Sequence, residues 1–134
     1  MKILRIRLLN LNSLRGEHLV DFEQGPLAQA GLFLIAGPTG AGKSTLLDAL
    51  TLALYGRAAR YAKDPNPEDM MTRLCGECRA EVEFEVASGR YRAEWHLRRA
   101  RGKAVSERVR AVFADDHVEH HFFSSSIYFD SNRP

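Results

Sequence analysis

The sequence predicts an α/β fold that carries an additional antiparallel β layer. Three observations lead there. A short apolar run at Gly31–Ala36 opens into a glycine-rich segment and then into a helical pattern from Ser44 to Tyr55. Two strand-like segments precede that unit. Strictly alternating segments follow it from Ala80 onward.

Residues 2–9 place Leu4, Ile6 and Leu8 on one side and Ile3, Arg5, Arg7 and Leu9 on the other, which is a strand with one wholly apolar face. Asn10 to Gly16 is rich in turn formers, and a second strand is expected at His18–Phe22, broken by Gln24-Gly25-Pro26. Gly31–Ala36 is continuous and apolar, the pattern of a buried central strand. The helix after it carries apolar residues at 46, 47, 50, 53 and 54, a one-sided stripe, and Gly56 is placed to end it. On that stripe Asp48 falls on the opposite face and needs no special role. Residues 57–79 contain Pro65 and Pro67 without a sustained period and read mostly as loop.

From there alternation returns. Ala80, Val82, Phe84 and Val86 oppose Glu81, Glu83 and Glu85, and Ser88-Gly89 marks a hairpin. Tyr91, Ala93, Trp95 and Leu97 alternate with Arg92, Glu94 and His96. A third strand is expected from Glu107 to Phe113, closed by a turn at Asp115-Asp116. Facing Glu and Arg rows on adjacent strands would form cross-strand pairs.

The chain has 134 residues, 45% hydrophobic and 27% charged, with a net charge of +2. That composition describes one folded unit and excludes disordered and collagen-like classes. No apolar stretch approaches the ~18 residues of a membrane span, and Lys2, Arg5 and Arg7 interrupt the N-terminal apolar residues as no signal peptide would. Two cysteines do not make a disulfide framework, so a reducing, cytoplasmic setting is expected. The charge is uneven: between Arg90 and Arg110, eight basic residues face only Glu94 and Glu107, leaving +6 there and −4 elsewhere.

The chemistry is concentrated in Gly37-Pro38-Thr39-Gly40-Ala41-Gly42-Lys43-Ser44, a full match to G-x-x-x-x-G-K-[ST] with a strand pattern before it and a helix pattern after it. Gly37, Gly40 and Gly42 permit backbone angles that turn successive N–H groups toward phosphate oxygens. The helix start adds its positive dipole end. Lys43 would reach the β- and γ-phosphates, Ser44 would ligate Mg²⁺, and Thr45 would touch the α-phosphate. The implied cofactors are ATP and Mg²⁺. A ligand-free glycine turn is the plain alternative, which the strand and helix context disfavours.

A phosphate loop by itself does not choose among kinases, GTPases and ATPase motors. An antiparallel layer added to the loop unit belongs with ATP-binding-cassette heads. At residues 1–16 (MKILRIRLLNLNSLRG), 31–56 (GLFLIAGPTGAGKSTLLDALTLALYG) and 69–86 (DMMTRLCGECRAEVEFEV) the sequence resembles the N-terminal part of the SbcC family, SMC-related ATPases of the SbcC–SbcD nuclease complex. The resemblance spans roughly residues 1–116, read as the N-terminal lobe of a split head, with 117–134 as a tail of unclear structure. It implies an ABC/SMC-type head whose C-terminal lobe, reached through a long coiled coil, brings the signature motif, the magnesium-binding Asp and the catalytic Glu. ATP would lie between two such heads, and its hydrolysis would serve a nuclease partner acting on DNA ends. It also implies that Asn12 and Ser13 sit where family heads contact nucleotide. The chain resembles only the first part of that head, so ATP binding without turnover is expected of it alone.

Other signals have plainer readings. Arg110–Asp116 mimics a Walker B strand, with Asp115 as a magnesium ligand of a small self-contained NTPase, but the run follows an arginine-laced alternating strand and Asp-Asp suits a turn, which is the reading preferred. Cys75-Gly-Glu-Cys78 has zinc spacing without a second pair, and incidental thiols are expected. His117, His120 and His121 lack the acidic partner of a metal motif. The 90–110 stretch is expected to be a solvated hairpin face partly paired with Glu81, Glu83 and Glu85, with DNA phosphate contact as the alternative. The ATP-binding cassette of a transporter is a second function class. It usually places an adenine-stacking aromatic before the loop, whereas here only Phe22 and Phe33 precede Gly37.

Overall fold

Alternating side chains of Leu4, Ile6 and Leu8 are buried to 7% exposure or less while Arg5 and Arg7 stay half-buried, and this pleat organises the molecule. The computed structural model describes residues 1–58, 60, 67–100 and 104–113. Five antiparallel strands, β1 (Lys2–Leu11), β2 (Leu14–Asp21), β3 (Glu77–Val86), β4 (Gly89–Ala100) and β5 (Ala104–Phe113), form one sheet in the order β2-β1-β3-β4-β5. Among the described residues one α-helix, α1 (Lys43–Tyr55), lies across β1, β3 and β4. The expected α/β class with an antiparallel layer is what forms.

The core follows from register. Ile6 pairs with Val82 and Val82 with Ala93; Leu8 pairs with Ala80 and Ala80 with Trp95; Cys78 pairs with Leu97. These rows bring apolar side chains of three strands onto one face, where Trp95, Leu97, Val82, Ala80 and Cys78 are wholly buried. Ala49, Leu52 and Ala53 of α1 close over them. Small residues on both surfaces let the helix approach closely, so the large Trp95 fills the remaining depth.

The opposite face is an ion-pair lattice. Arg5 meets Asp21 at 3.0 Å, Glu23 at 3.4 Å and Glu83 at 3.4 Å; Arg7 meets Glu81 at 3.3 Å; Arg92 meets Glu83 at 3.4 Å. The expected Glu–Arg rows are present, and β1 contributes to them as much as β4 does. Arg90 pairs with Glu23 and Arg99 with Glu68, so with Arg92 three basic residues of the stretch have carboxylate partners, while Tyr91 and Trp95 turn away from its polar side.

Several expectations change. The first hairpin is tighter than expected, because Leu11 pairs with Leu14 across a turn of only Asn12 and Ser13. Asn10 (φ 48°) and Gly16 (φ 82°) lie inside the strands, linked by Gly16 N–H donating to Asn10 Oδ1 at 2.8 Å; they make a register shift, not a loop. The third strand of the meander begins at Ala104, earlier than expected. Gly31–Ala36 is not a strand: Leu32 and Leu34 are 93% and 87% exposed. A strand exists through its ladder, and among the described residues the five strands pair with one another and none pairs with this segment. Phe33 instead rests on Phe22, ring centroids 5.0 Å apart.

The helix also buries a different face from the one expected. Thr45, Asp48, Ala49, Leu52 and Ala53 are buried, whereas Leu47 is exposed and Leu46, Leu50 and Leu54 are half-buried. The helix is apolar nearly all round, so periodicity alone picks out the wrong half. Leu46, Leu47 and Leu50 line an apolar groove with Phe22, Phe33 and Ile35. Asp48 therefore sits inside, 6% exposed, contrary to its expected place on an open face.

Candidate phosphate-binding site

The loop of residues 37–42 joins the extended segment to α1 and is built by backbone conformation. Gly40 (φ 85°) and Gly42 (φ 87°) are left-handed, a conformation that costs an L side chain ~1–2 kcal/mol. Ala41 N–H donates to the Pro38 carbonyl at 3.2 Å and closes the turn. Gly42 is the helix N-cap and lacks a side-chain cap; its carbonyl accepts from Thr45 N–H at 3.0 Å and Leu46 N–H at 3.3 Å. The first N–H groups of α1 are thus left to the dipole end of the helix, the environment that favours an anion.

Lys43 folds back over the loop, its Nζ donating to the carbonyls of Gly37 at 2.6 Å and Pro38 at 2.7 Å. Those two contacts hold the ammonium above the loop that would cradle a phosphate. Ser44 is exposed beside it. Thr45 is 3% exposed, and its Oγ1 accepts from Asn12 Nδ2 at 3.3 Å.

The β1–β2 turn stands against this junction. A Cβ at Gly42 would lie 2.8 Å from Leu14 Cδ2. Asn12 (φ 51°) is pinned through its N–H to the Met70 carbonyl at 2.7 Å, and its carbonyl accepts from Thr72 Oγ1 at 2.9 Å. Its side chain points at α1, donating to Thr45 and to Asp48 Oδ2 at 3.0 Å. Ser13 is exposed next to it. The fold thus brings Asn12 onto Thr45 at the end of the loop–helix junction, with Ser13 its neighbour in the turn, although 25 residues of sequence separate Asn12 from Gly37. Asp48 and Leu14 are the members of this neighbourhood that sequence reasoning missed. Leu14 carries no motif; a charge at the third position of an otherwise apolar segment LLDALTLALY was a signal for Asp48.

The donor set fits a magnesium-bound triphosphate. Glycines at positive φ expose backbone N–H groups, one ammonium is aimed at the loop, and the Ser44 hydroxyl lies at the helix start.

The remaining candidates fall elsewhere. Cys78 is wholly buried, and burial, reinforced by Cys75 and Glu77, pushes its thiol up to about 12, so it stays protonated. No group of three or more His, Cys, Asp and Glu with metal-binding geometry occurs among the described residues. Asp115, Asp116, His117, His120 and His121, together with the tail 117–134, lie outside the described residues, as do Arg101 and Lys103. No helix among the described residues is long and apolar enough to cross a membrane.

Comparison with known proteins agrees with this geometry. The AAA domain family matches residues 5–123. The chain is 49% identical over 120 residues to the SbcC component of the SbcCD nuclease of Pseudomonas aeruginosa, covering 78% of this chain and 10% of that protein. It is 42% identical over 120 residues to the protein of the same name from Rhodobacter capsulatus, covering 77% and 10%. It is 31% identical over 98 residues to the "Probable DNA double-strand break repair Rad50 ATPase" of Aquifex aeolicus, covering 73% and 10%. The chain spans about a tenth of the length of these relatives. With its phosphate loop leading into the N-terminus of a helix packed on an antiparallel sheet, the chain belongs to the AAA domain family of P-loop ATPases, as an N-terminal head lobe of the SbcC type.

Proposed function

We propose that this chain is the ATP-binding lobe, residues 1–116, of an SbcC-like ATPase that serves a nuclease complex in DNA double-strand-break repair. The observation that carries the reading is the Lys43 ammonium held over a loop with two left-handed glycines at an uncapped helix N-terminus. In this reading the N–H groups of Thr39, Gly40, Gly42, Lys43 and Ser44 donate to phosphate oxygens, with Gly37, Pro38 and Ala41 shaping the loop, and Lys43 neutralises charge on the β- and γ-phosphates. Ser44 Oγ supplies a magnesium ligand, and the metal when bound neutralises phosphate charge. Thr45 contributes at the α-phosphate through the helix start, since its hydroxyl is engaged by Asn12. Ser13, exposed on the adjoining turn, borders the nucleotide.

Turnover in this reading requires a C-terminal lobe of the same ATPase and a second head, with an SbcD-like nuclease and DNA as further partners in the cytoplasm. The names of the relatives favour this over a transporter cassette. The small-NTPase alternative is weakened by topology: the apolar run before Asp115 ends β5, an antiparallel strand paired with β4 on the far side of the sheet from β1.

The test is titration of the purified chain with Mg-ATP. Saturable binding that Lys43→Ala abolishes, without turnover, is the expected result. Steady turnover by the chain alone that Asp115→Ala removes would refute the reading in favour of a self-contained NTPase.

A further inference from the structure

Asp48 is a buried carboxylate one turn into α1 from Lys43 and Ser44. A charge in that position is costly unless paired and hydrogen-bonded. Both conditions are met from outside the helix. Asn12 Nδ2 donates to Asp48 Oδ2 at 3.0 Å, and the Arg60 guanidinium, from the segment after α1, forms an ion pair with the same oxygen. The same Asn12 amide reaches Thr45 Oγ1, so one side chain of the β1–β2 turn grips two successive turns of the helix. Two residues on, Leu14 stands against Gly42. The turn therefore meets the loop–helix junction on both sides.

Apolar packing of α1 on the sheet through Ala49, Leu52 and Ala53 is non-directional and would allow the helix to slide. Charge-assisted hydrogen bonds fix direction as well as distance. The pinned end of α1 is the end that presents N–H groups, Lys43 and Ser44, where small displacements cost most in binding and reactivity.

We infer that Asp48 is a positioning residue for the phosphate loop: clamped by Asn12 and Arg60, it holds the N-terminus of α1 in register with the β1–β2 turn. Its role is exerted through the helix and not by contact with nucleotide. Asn12 then acts through its amide on Asp48 and Thr45. This inference rests on the Mg-ATP reading above.

The experiment titrates Mg-ATP into the whole chain as wild type, Lys43→Ala, Asn12→Ala, Asp48→Ala, Asp48→Asn and the Asn12→Ala/Asp48→Ala double variant, each checked by thermal melting to be folded at the assay temperature. Asn12→Ala and Asp48→Ala are each expected to weaken binding on the order of tenfold, the scale of a lost charge-assisted hydrogen bond. The double variant should lose less than the product of the two single losses, because the Asn12–Asp48 contact is removed by either change; beyond Asp48→Ala it further loses the Asn12–Thr45 bond. Asp48→Asn keeps the volume and an acceptor for Asn12 but loses the ion pair with Arg60, and should bind between Asp48→Ala and wild type. A change in stability alone would not produce that coupling or that rescue. Should Asp48→Ala not fold, Asn12→Ala decides: folded and binding like wild type, it overturns the inference. Binding that Lys43→Ala abolishes but that ignores both Asn12→Ala and Asp48→Ala defeats the positioning role alone. Absent binding, or binding indifferent to Lys43→Ala, defeats the phosphate-loop reading and this inference with it.

Discussion

Gly42 carries two separable constraints, and replacing it with alanine measures both. Its φ of 87° costs any L side chain ~1–2 kcal/mol. A Cβ there would also lie 2.8 Å from Leu14 Cδ2 and 3.0 Å from Leu14 Cγ. The neighbour is the end of a half-buried, flexible side chain, so it gives way at about 1 kcal/mol, the low end of overpacking costs. Gly42→Ala should therefore destabilise the chain by about 2–3 kcal/mol. Gly40 is the internal control: its φ is 85°, but nothing lies within 4 Å of its would-be Cβ, so Gly40→Ala should cost only ~1–2 kcal/mol. In a Leu14→Ala background the contact vanishes, and Gly42→Ala should fall to the cost of Gly40→Ala. Urea denaturation of the wild type and these variants, fitted with a common slope, gives the comparison. Equal costs for Gly40→Ala and Gly42→Ala in the wild-type background would refute the claim that Leu14 packs against the loop. So would a Gly42→Ala cost unchanged by removing Leu14.

Four further outcomes follow from burial and charge. Leu97→Ala, at a wholly buried position beside Cys78, should lose about 2–5 kcal/mol in urea denaturation. Leu74→Gly should do the reverse, gaining up to about 1 kcal/mol, because Leu74 is 95% exposed and held at φ 66°; a loss would show that its side chain matters. The Glu23 backbone N–H, with help from Arg5, holds the Asp21 carboxyl below its ordinary 3.8. A lowered folded-state value means that Asp21's contribution is complete above the unfolded value and drains away as pH falls through the folded one. Stability measured by urea midpoint should thus decline on acidification below 3.8, and Asp21→Asn should flatten that decline. Finally, an aromatic disulfide reagent near neutral pH should titrate Cys75, which is part-exposed, and spare Cys78 until the chain unfolds; prompt reaction of both thiols would contradict the burial of Cys78.

Periodicity served best where one face of an element meets water. Leu4, Ile6 and Leu8 against Arg5 and Arg7, and Ala93, Trp95 and Leu97 against Arg92 and His96, announced their buried faces from alternation alone, because a half-buried strand must separate apolar from polar at period two. The phosphate loop was equally legible, since three glycines, a lysine and a serine at fixed offsets encode a local backbone shape that needs no distant partner. Sequence could not place elements whose state depends on what lies beside them. Gly31–Ala36 has the composition of a buried strand but no ladder among the described residues, and so it stays an exposed extended segment on Phe22. In α1, apolar residues on every side left the choice of face to the sheet, and Asp48 went inward because Asn12, 36 residues earlier, and Arg60, 12 later, compensate its charge. The same holds for Leu14 against Gly42. Local pattern determined the strands, the loop and its chemistry; only the tertiary structure decided which neighbours hold the loop in place, because burial of a charge and contact across a turn are settled by residues that sequence distance does not bring together.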